Sequence, residues 1–424
     1  MRATQKLTSQ TLDKLFGQVS RGSFAVIYKD GAIKHFGNGE PQFTVRLNDD
    51  SVLGLIGDDM LMSFGDAYMD GRVDVEGDLA DLLSLALQSG LMSVTQKPQG
   101  FAGKALRAAG KLRSLKHEKE NIARHYDLGN DFFRLWLDES LTYSCAYFRN
   151  ASDKLEQAQR QKIDHSLKKL WLQPNETLLD IGCGWGSLVI RAAEDFGVNA
   201  TGITLSEEQH AGANAAIKER GLQDKVCVRL ADYGALTEEG KQFDKIVSIG
   251  MIEHVGKENL EGFVQTLEKL LKPNGLALLH LITIVKEGLI NGWLEKHIFP
   301  GGYIPTLPEI ITHLARRDFH VWDVENLAPH YRLTLDHWSQ RFERAVPAVL
   351  KKFDEKFVRM WRFYLRASSA AFREGVVEVH QILVSRGQVT DLPLTREDGR
   401  GDRQRGKDER ERDGRGVNAS SGGR

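Results

Sequence analysis

The alternation of strand-like and helix-like segments over residues 174–387 is the feature that most limits what this chain can fold into. Strands that alternate with helices along a chain form a mostly parallel sheet covered by helices on both faces. The pattern therefore predicts a doubly wound α/β fold, whose last two strands are joined by a long helical stretch from Leu335 to Glu374. The seven predicted strands are ETLLDIGC, NATGITL, KVCVRLAD, KIVSIGM, LALLHLI, HVWDVENLA and VVEVHQILVSRG.

Residues 1–95 predict a separate, small α+β domain. Asp30-Gly31 lies between two alternating runs, which is a strong indication of a β-hairpin. Asp78 precedes leucines that are spaced for one face of a helix, and its side chain can cap that helix. No residue in this segment has the type and spacing of a catalytic site.

Two further segments have an unusual composition. From Lys104 to Arg124, within a predicted linker at 96–124, there are seven Lys/Arg against two Glu. A basic amphipathic helix here could bind an anionic membrane surface, at about 1 kcal/mol per cation, or could be an ordinary solvated linker. Residues 391–424 have almost no apolar side chains, which predicts a disordered tail because too little surface can be buried to offset the ordering entropy.

The overall composition excludes several classes of protein. The chain has 424 residues, 41% of them hydrophobic, which is enough for a sizeable core. No run approaches the roughly 20 apolar residues of a membrane-spanning helix, and the N-terminus lacks the apolar run of a signal peptide. Three cysteines without paired spacing predict a reducing, cytoplasmic location. The net charge of −1 gives no indication of a nucleic-acid partner.

The glycine-rich turn in LLDIGCGWGSL predicts a ligand-binding loop. Gly182 and Gly184 let the backbone turn tightly and approach a ligand at the carboxyl end of a strand. Such a turn also fits a dinucleotide enzyme, but there the second strand normally ends in Asp or Glu, whereas here it ends in GITLS. Asp180 precedes the glycines, where its carboxylate can contact the ligand or brace the loop. Asp232 and Tyr233 follow the third strand, where a carboxylate and a ring could meet an adenine.

A second group of polar residues follows the fourth and fifth strands. Because those strands are neighbours in a doubly wound sheet, Glu253 and His280 are expected to meet at the ligand-binding edge. The pair could bind a small anion, carry a proton or hold a metal, although no third ligand has metal-site spacing. A lone cysteine is usually a small core residue, which we expect of Cys183. The residues alone do not place Cys145.

Several long motifs together resemble one enzyme family. The segment NIARHYDLGNDFFRLWLDESLTYSCAYF occurs together with LLDIGCGWGS, GITLSEEQ, VSIGMIEHVGKEN, LLHLI and FPGGYIP. This combination is similar to the cyclopropane-fatty-acyl-phospholipid synthases and the related mycolic acid cyclopropane synthases, from about residue 55 to 387. The resemblance implies a class I S-adenosylmethionine-dependent methyltransferase, with a Rossmann-like seven-stranded sheet over 125–390.

The resemblance also implies two sets of site residues. The segments that contact S-adenosylmethionine in the family correspond here to Tyr143, Ser144, Asp180, Gly182, Gly184, Thr204, Leu205, Ser206, Gln209, Asp232 and Tyr233. The family also binds a bicarbonate ion through four side chains and one backbone group, which correspond to Cys145, Glu253, His280, Tyr331 and, for the backbone, Ile282.

The activity implied by the resemblance is methyl transfer to the double bond of an unsaturated phospholipid acyl chain. Loss of a proton to bicarbonate would then close a cyclopropane ring. The AYMDG segment resembles the extra domain of the phospholipid-acting bacterial branch, which implies intact phospholipids as substrates and a bilayer surface at the inner face of the membrane as partner. Family members that work on bilayers are often dimers, so the resemblance also implies a homodimer. Three alternatives remain: a relative giving methyl- or methylene-branched chains, a small-molecule N-methyltransferase, and a lipid-binding protein with an inactive core.

Overall fold

The computed structural model describes residues 16–17, 22–54, 60–89, 128–286, 292–390 and 392. The domain boundaries predicted at 95 and 124, the basic linker between them and the charged tail from 393 onward lie outside these residues. The described residues contain two sheets, a small one near the N-terminus and a large one that follows it.

The described residues of the N-terminal part form a four-stranded sheet in the order β2-β1-β3-β4, with two α-helices. Its elements are β1 (Ser23–Ile27), β2 (Ile33–Gly37), β3 (Phe43–Leu47), a 3-10 helix (Asp50–Gly54), α1 (Met60–Met69), β4 (Val73–Glu76) and α2 (Leu79–Gln88). The antiparallel pair β1 and β2 confirms the predicted hairpin, with Gly31 at a φ of 84° in its turn. Asp78 caps α2 by accepting a hydrogen bond from the Ala80 amide, as predicted.

The larger part alternates helices and strands along the chain. Its α-helices and strands are α3 (Asn130–Phe133), α4 (Leu155–Lys169), β5 (Thr177–Ile181), α5 (Ser187–Phe196), β6 (Asn199–Thr204), α6 (Glu207–Glu219), β7 (Val226–Leu230), α7 (Tyr233–Glu238), β8 (Phe243–Ile249), α8 (Leu260–Leu270), β9 (Leu271–Ile284), α9 (Gly292–His297), α10 (Leu307–Ala315), β10 (Phe319–Asn326), α11 (Ala328–Val349), α12 (Glu355–Arg373) and β11 (Val377–Arg386). Two short 3-10 helices, Ile252–His254 and Lys257–Asn259, follow β8.

The large sheet has the order β10-β11-β9-β8-β5-β6-β7. Strand β11 runs antiparallel to β9 and β10, and the other neighbours are parallel. This arrangement confirms the doubly wound α/β fold and all seven predicted strands. The predicted helical stretch before the last strand is divided into two helices, α11 and α12. The chain reverses its winding direction at β5, so the carboxyl ends of β5 and β8 open a crevice where such sheets bind ligands.

The N-terminal part packs against the last two helices of the larger part. One cluster of buried apolar side chains runs from β1 and β3 through α2 to α11 and α12. Around this apolar contact, Arg366 pairs with Asp78 and Arg373 pairs with Asp81, the latter at 2.8 Å. Apolar burial supplies most of the free energy of such a contact, and the ion pairs mainly fix its geometry. The N-terminal helices are therefore held beside the crevice.

Candidate active site

The glycine turn between β5 and α5 forms the floor of a cavity at the carboxyl edge of the sheet. Gly182 has a φ of 85°, and a Cβ there would lie 3.0 Å from Met251 Cγ. The amides of Gly182 and Cys183 both donate to the Ile203 carbonyl oxygen, at 3.0 and 2.9 Å. The turn is therefore fixed against β6, and Gly182 and Gly184 both line the cavity as predicted.

Cys183 packs within this turn. A Cβ added to Gly202 would lie 2.7 Å from its sulfur, so the thiol fills the space that this glycine leaves. Burial raises the pKa of Cys183 well above its ordinary value, which keeps the thiol protonated. The side chain is thus a small packing group, in agreement with the sequence analysis.

Asp180 supplies the acidic group of this first cavity. Its side chain is buried at the end of β5, and its Oδ1 has no hydrogen-bond partner among the residues that the structure describes. Burial raises the pKa of Asp180 to about 7, although the nearby ammonium of Lys162 opposes that rise. A buried carboxylate oxygen without a partner costs free energy, and a donor group on a bound ligand would relieve that cost.

The segment that follows β6 forms the second wall. The Thr204 hydroxyl donates to the side-chain oxygen Oε1 of Gln209 at 2.7 Å. The backbone N–H of Gln209 donates to Ser206 Oγ at 3.3 Å. Thr204, Leu205 and Gln209 line the cavity. Ser206 instead caps the N-terminus of α6, is buried and is not among the residues that line the cavity. Its role in the structure is therefore to hold the helix that carries Gln209.

Asp232 and Tyr233 lie on the far side of the same cavity. Asp232 caps the short helix α7, with Oδ1 accepting from the Gly234 amide at 2.8 Å. The Tyr233 ring packs edge-on against Phe263, with ring centroids 5.5 Å apart. The carboxylate and the ring are thereby held at the position where the sequence predicts them to flank an adenine.

Tyr143 and Ser144 close the cavity from the segment that precedes α4. The Tyr143 hydroxyl is 2.8 Å from the Tyr364 hydroxyl, and Ser144 Oγ accepts from Lys162 Nζ at 3.1 Å. Lys162 is almost fully buried and lines the cavity, but the sequence analysis did not identify it. Burial lowers the pKa of Lys162 to about 8. Nothing in the polar sequence of α4 distinguishes it from the exposed Lys168.

A second, more apolar cavity adjoins the first one. All five residues predicted to hold an anion line it, although they come from four separate places in the sequence: Cys145, Glu253, His280 with Ile282, and Tyr331. Its apolar wall includes Leu61, Leu83, Leu87, Phe299, Leu335 and Phe372, of which the first three belong to the N-terminal part. The two cavities share the four lining residues Tyr143, Ser144, Gly250 and His254, so they meet at the end of β8.

Glu253 is a buried acidic group of the second cavity. Burial raises its pKa to about 7, and the Ile282 amide donates to its Oε1 at 2.7 Å. The other oxygen, Oε2, has no hydrogen-bond partner within the described part of the chain. Ile282 was expected to contribute a backbone amide to the anion, but in the structure that amide holds Glu253. The open Oε2 is thus the carboxylate atom that can meet a ligand.

His280 lies beside Glu253 because β8 and β9 are paired. Its ring is buried, with Gln381 Nε2 at 3.2 Å from Nδ1, and none of the described residues bonds to its Nε2. Burial, together with the positive charge of Lys162, holds the pKa of His280 well below its ordinary value. The neutral ring can therefore act as one hydrogen-bond donor and one acceptor.

Cys145 and Tyr331 are the remaining two of the five residues that were predicted to hold an anion. The Cys145 thiol is fully buried and lies 3.2 Å from the Ala146 carbonyl oxygen, to which it donates. Burial raises its pKa above the ordinary range, so it is a protonated thiol rather than a thiolate nucleophile. Tyr331 lies in the first turn of α11, and its ring packs on Phe372 with centroids 4.6 Å apart.

The two cavities differ in what they can bind. The first combines a glycine turn, a carboxylate and an ammonium, as a polar cofactor requires, and the second suits an apolar chain beside one small anion. Within the part of the chain that the structure describes, no three His, Cys, Asp or Glu side chains form a group that could hold a metal. The fold and the first cavity define a class I S-adenosylmethionine-dependent methyltransferase.

Comparison with known proteins gives a more specific assignment. The mycolic acid cyclopropane synthetase family matches residues 113–382. A probable fatty acid methyltransferase of Pseudomonas putida is 35% identical over 367 residues, which cover 84% of this chain and 91% of that protein. The cyclopropane-fatty-acyl-phospholipid synthase of Escherichia coli K12 is 37% identical over 365 residues, or 84% and 89%. The structure of a Mycobacterium tuberculosis cyclopropane synthase has a TM-score of 0.60 and 36% identity, covering 63% of this chain and 98% of the other.

This chain therefore belongs to the mycolic acid cyclopropane synthetase family. It is an S-adenosylmethionine-dependent C-methyltransferase of the cyclopropane synthase type, which confirms the class predicted from the motifs. The assignment decides against the small-molecule N-methyltransferase. Residues 11–98 match a separate family that is described only as a domain of unknown function.

Proposed function

We propose that this enzyme transfers the methyl carbon of S-adenosylmethionine to the cis double bond of an unsaturated phospholipid acyl chain, and that it closes a cyclopropane ring there. The observation that carries the proposal is the pair of adjoining cavities. An apolar cavity with one buried Glu-His pair meets the polar cavity at Tyr143 and Ser144. An acyl chain in the apolar cavity could thus be brought to the methyl group of a cofactor in the polar one.

The residues of the first cavity fit S-adenosylmethionine. The left-handed glycine turn leaves room for a ligand close to the backbone, and Asp180 Oδ1 lacks a partner that a ligand donor could supply. When it is bound, this cofactor supplies an electrophilic methyl group. An alkene attacks such a methyl group without a general base, so the chain needs no deprotonating residue for this step. Asp180 and Lys162 are left to bind and orient polar groups.

Attack by an alkene leaves a positive charge on the acyl chain, and the walls must protect it from water. Apolar side chains such as Leu83 and Phe372 exclude water that would trap the cation as an alcohol. Aromatic rings, among them Tyr331, can stabilise a nearby cation through their π faces. The composition of this cavity therefore suits a carbocation better than it suits a polar acceptor such as an amine.

Ring closure requires that a proton leave the newly added carbon, and the second cavity fits bicarbonate for this purpose. Glu253 Oε2 and His280 Nε2 are buried without partners, as expected where a small ion with both donor and acceptor atoms binds. When it is bound, bicarbonate can accept the proton and offset the positive charge. In this proposal His280 and Tyr331 donate hydrogen bonds to the ion, and Glu253 accepts its hydroxyl hydrogen.

A bilayer is the expected source of the acyl chain. No helix among the described residues is long and apolar enough to cross a membrane, so the proposed attachment is peripheral, at the inner face. Leu61, Leu83 and Leu87 of the N-terminal part contribute to the apolar wall. The basic segment from Lys104 to Arg124 could add electrostatic attraction to anionic headgroups.

The test uses the purified chain, S-adenosylmethionine with a ¹³C-labelled methyl group, and vesicles of matched phospholipids with cis-unsaturated or saturated chains. The proposal expects label only in the unsaturated lipid, as a ring carbon, with slower turnover in bicarbonate-free buffer and recovery when bicarbonate is added. Label in neither lipid would contradict the substrate assignment. Full turnover without bicarbonate would contradict the role given to Glu253 and His280.

A second product is supported by one comparison, since the Pseudomonas putida relative is named a probable fatty acid methyltransferase. In that case a hydride moves from the methyl-bearing carbon to the neighbouring cationic carbon. The shifted cation then loses a proton from the added methyl group to give a methylene branch, or from the acyl chain to give a methyl-branched alkene. The vesicle experiment separates the two products, because a branched methylene gives an olefinic signal and a ring does not. All five predicted anion residues line one cavity here, which favours ring closure.

A further inference from the structure

His280 has a cross-strand neighbour to which the mechanism above gives no role. In the antiparallel pairing of β9 with β11, His280 lies opposite Gln381, whose side chain is fully buried. The amide nitrogen of Gln381 is 3.2 Å from His280 Nδ1 and 3.0 Å from the hydroxyl oxygen of Ser166 on α4. One buried amide thus connects the histidine ring with a helix outside the sheet.

The Ser166 hydroxyl determines which way round the Gln381 amide lies. Ser166 donates its single hydroxyl hydrogen to the Lys162 carbonyl oxygen, one helical turn earlier, at 2.9 Å. Its oxygen can then only accept from Gln381, which places the NH₂ group on that side. The second hydrogen of the same NH₂ group is directed to His280 Nδ1.

The reverse orientation of the amide satisfies fewer hydrogen bonds. In the observed orientation one acceptor, Gln381 Oε1, has no partner. Turning the amide round would place the two N–H donors of the NH₂ group in that same position. Buried N–H groups without a partner are rarer in proteins than under-satisfied carbonyl oxygens. The turn would also require Ser166 to give up its bond to Lys162.

A ring nitrogen that accepts a hydrogen bond carries a lone pair, so the neutral His280 ring carries its proton on Nε2. Nε2 is the ring atom without a protein partner, and the ring lines the apolar cavity. Burial and the neighbouring cations Lys162 and Lys169 lower the pKa of His280, which keeps the ring neutral. The proton is therefore directed to the place where an anion would bind.

We propose that Gln381 and Ser166 are positioning residues that hold His280 in the Nε2–H tautomer, so that the ring presents a hydrogen-bond donor to the anion. This inference rests on the proposed function, since the anion is the group that Nε2–H would meet. Partners behind a ligating histidine fix its tautomer in the same way at metal sites, where their loss costs roughly tenfold to a hundredfold in affinity or activity.

The direct test is the tautomer of His280 in the full-length protein with ¹⁵N-labelled histidine. The ¹⁵N shifts separate protonated from unprotonated ring nitrogens, and the His280 signals are assigned by their absence from the His280→Gln variant. The proposal expects a neutral Nε2–H ring in the unsubstituted protein. A proton on Nδ1 would overturn it, whatever the turnover rate.

Substitutions of the two positioning residues test the consequence. Gln381→Glu has nearly the same shape, but its carboxylate accepts from Nδ1–H, so we expect the Nδ1–H tautomer or a protonated ring. Turnover should fall roughly tenfold to a hundredfold, while the Kd for S-adenosylmethionine changes less than about twofold. Ser166→Ala should give a mixture of the two His280 tautomers and a smaller fall in turnover. The matched control is Ser369→Ala, which removes another buried serine hydroxyl, bonded to Asp336 on α11, and should leave both readouts unchanged.

The outcomes separate this inference from the proposed function. An unchanged tautomer and unchanged turnover in Gln381→Glu would overturn the positioning role. Where variants fold poorly, the tautomer of the unsubstituted protein still decides the question. A His280 tautomer that switches in Gln381→Glu, in a protein that forms no ring on phospholipid vesicles, would support the inference and contradict the proposed function alone.

Discussion

The two adjoining cavities differ in how the chain builds them. The polar cavity consists mainly of short contiguous motifs, each at the end of one strand, such as the turn after Asp180 and the segment from Thr204 to Gln209. The apolar cavity draws its five predicted anion residues, Cys145 to Tyr331, from four separate places in the sequence, and part of its wall from the N-terminal helices. The polar cavity is thus encoded locally, and the apolar cavity depends on the whole tertiary structure.

Their electrostatics differ as well. In the polar cavity the buried Asp180 has the ammonium of Lys162 as a partial counter-charge. In the apolar cavity no cation of the described residues acts on Glu253 in this way, and only backbone hydrogen bonds oppose the effect of burial on its pKa. The first arrangement suits a charged cofactor, while the second keeps a largely neutral cavity in which a single anion has a strong effect.

The largest expected effect is that of Glu253→Gln. Because the amide keeps the shape but cannot accept the anion's proton in the same way, turnover should fall by about 10²-fold or more. The Kd for S-adenosylmethionine should be unchanged, since Glu253 lines only the apolar cavity. Single-turnover kinetics and calorimetric titration measure the two quantities. An unchanged turnover rate would contradict the role of Glu253 at the anion in the apolar cavity.

The corresponding test of the polar cavity is Gly182→Ala. A Cβ at this left-handed position would press on Met251 and displace the cofactor loop, so the Kd for S-adenosylmethionine should rise by about tenfold, or ~1.4 kcal/mol. Gly221→Ala is the control, because its φ is 66° and nothing lies within 4 Å of the added carbon. Both variants should lose about 1 kcal/mol of stability from backbone strain. An equal Kd for S-adenosylmethionine in the two variants would contradict the assignment of the polar cavity as the cofactor site.

The pH dependence of stability tests the uncompensated burial of Glu253. Its pKa is raised from 4.5 to about 7 in the folded protein. Its contribution to stability is therefore fully present below pH 4.5 and is lost as the pH rises through about 7. Relative to Glu253→Gln, the unsubstituted protein should lose up to about 3 kcal/mol of unfolding free energy over that range. Urea denaturation of both proteins at pH 5 and pH 8, in bicarbonate-free buffer, measures this difference. An equal change in unfolding free energy between the two pH values in both proteins would contradict it.

The smallest expected effect is that of Cys145→Ser. The thiol donates a hydrogen bond and is not a nucleophile, and a serine hydroxyl can donate in its place. Since a neutral hydrogen bond contributes about 1 kcal/mol, turnover should stay within about tenfold. Complete loss of activity with intact cofactor binding would indicate a covalent role and contradict this account.

Much of the fold could be predicted from the sequence because strand and glycine patterns are local. The seven strands, the hairpin at Asp30-Gly31 and the cap at Asp78 follow from the spacing of neighbouring residues. The packing of the N-terminal part could not be predicted in this way. Asp78 also pairs with Arg366, which lies 288 residues further along the chain, and no local pattern indicates that contact.

The candidate site shows the same limit. Asp180 and the glycine turn are recognisable from chemistry alone, whereas Cys145 and Tyr331 were placed only by resemblance to a family. Lys162 and Gln381 were not identified at all, because each looks like an ordinary residue of a polar helix or a strand. Their importance arises from burial beside Asp180 and His280, which only the tertiary structure shows.

We propose that the two cavities together add a ring carbon to a lipid chain. Mass spectrometry and NMR of fatty acids test this in a bacterial host that lacks cyclopropane fatty acids, expresses this chain and is fed methyl-labelled methionine. We expect a labelled acid one methylene heavier than a host monounsaturated acid, without olefinic proton signals. A labelled acid of the same mass that shows an exocyclic methylene signal would contradict ring closure.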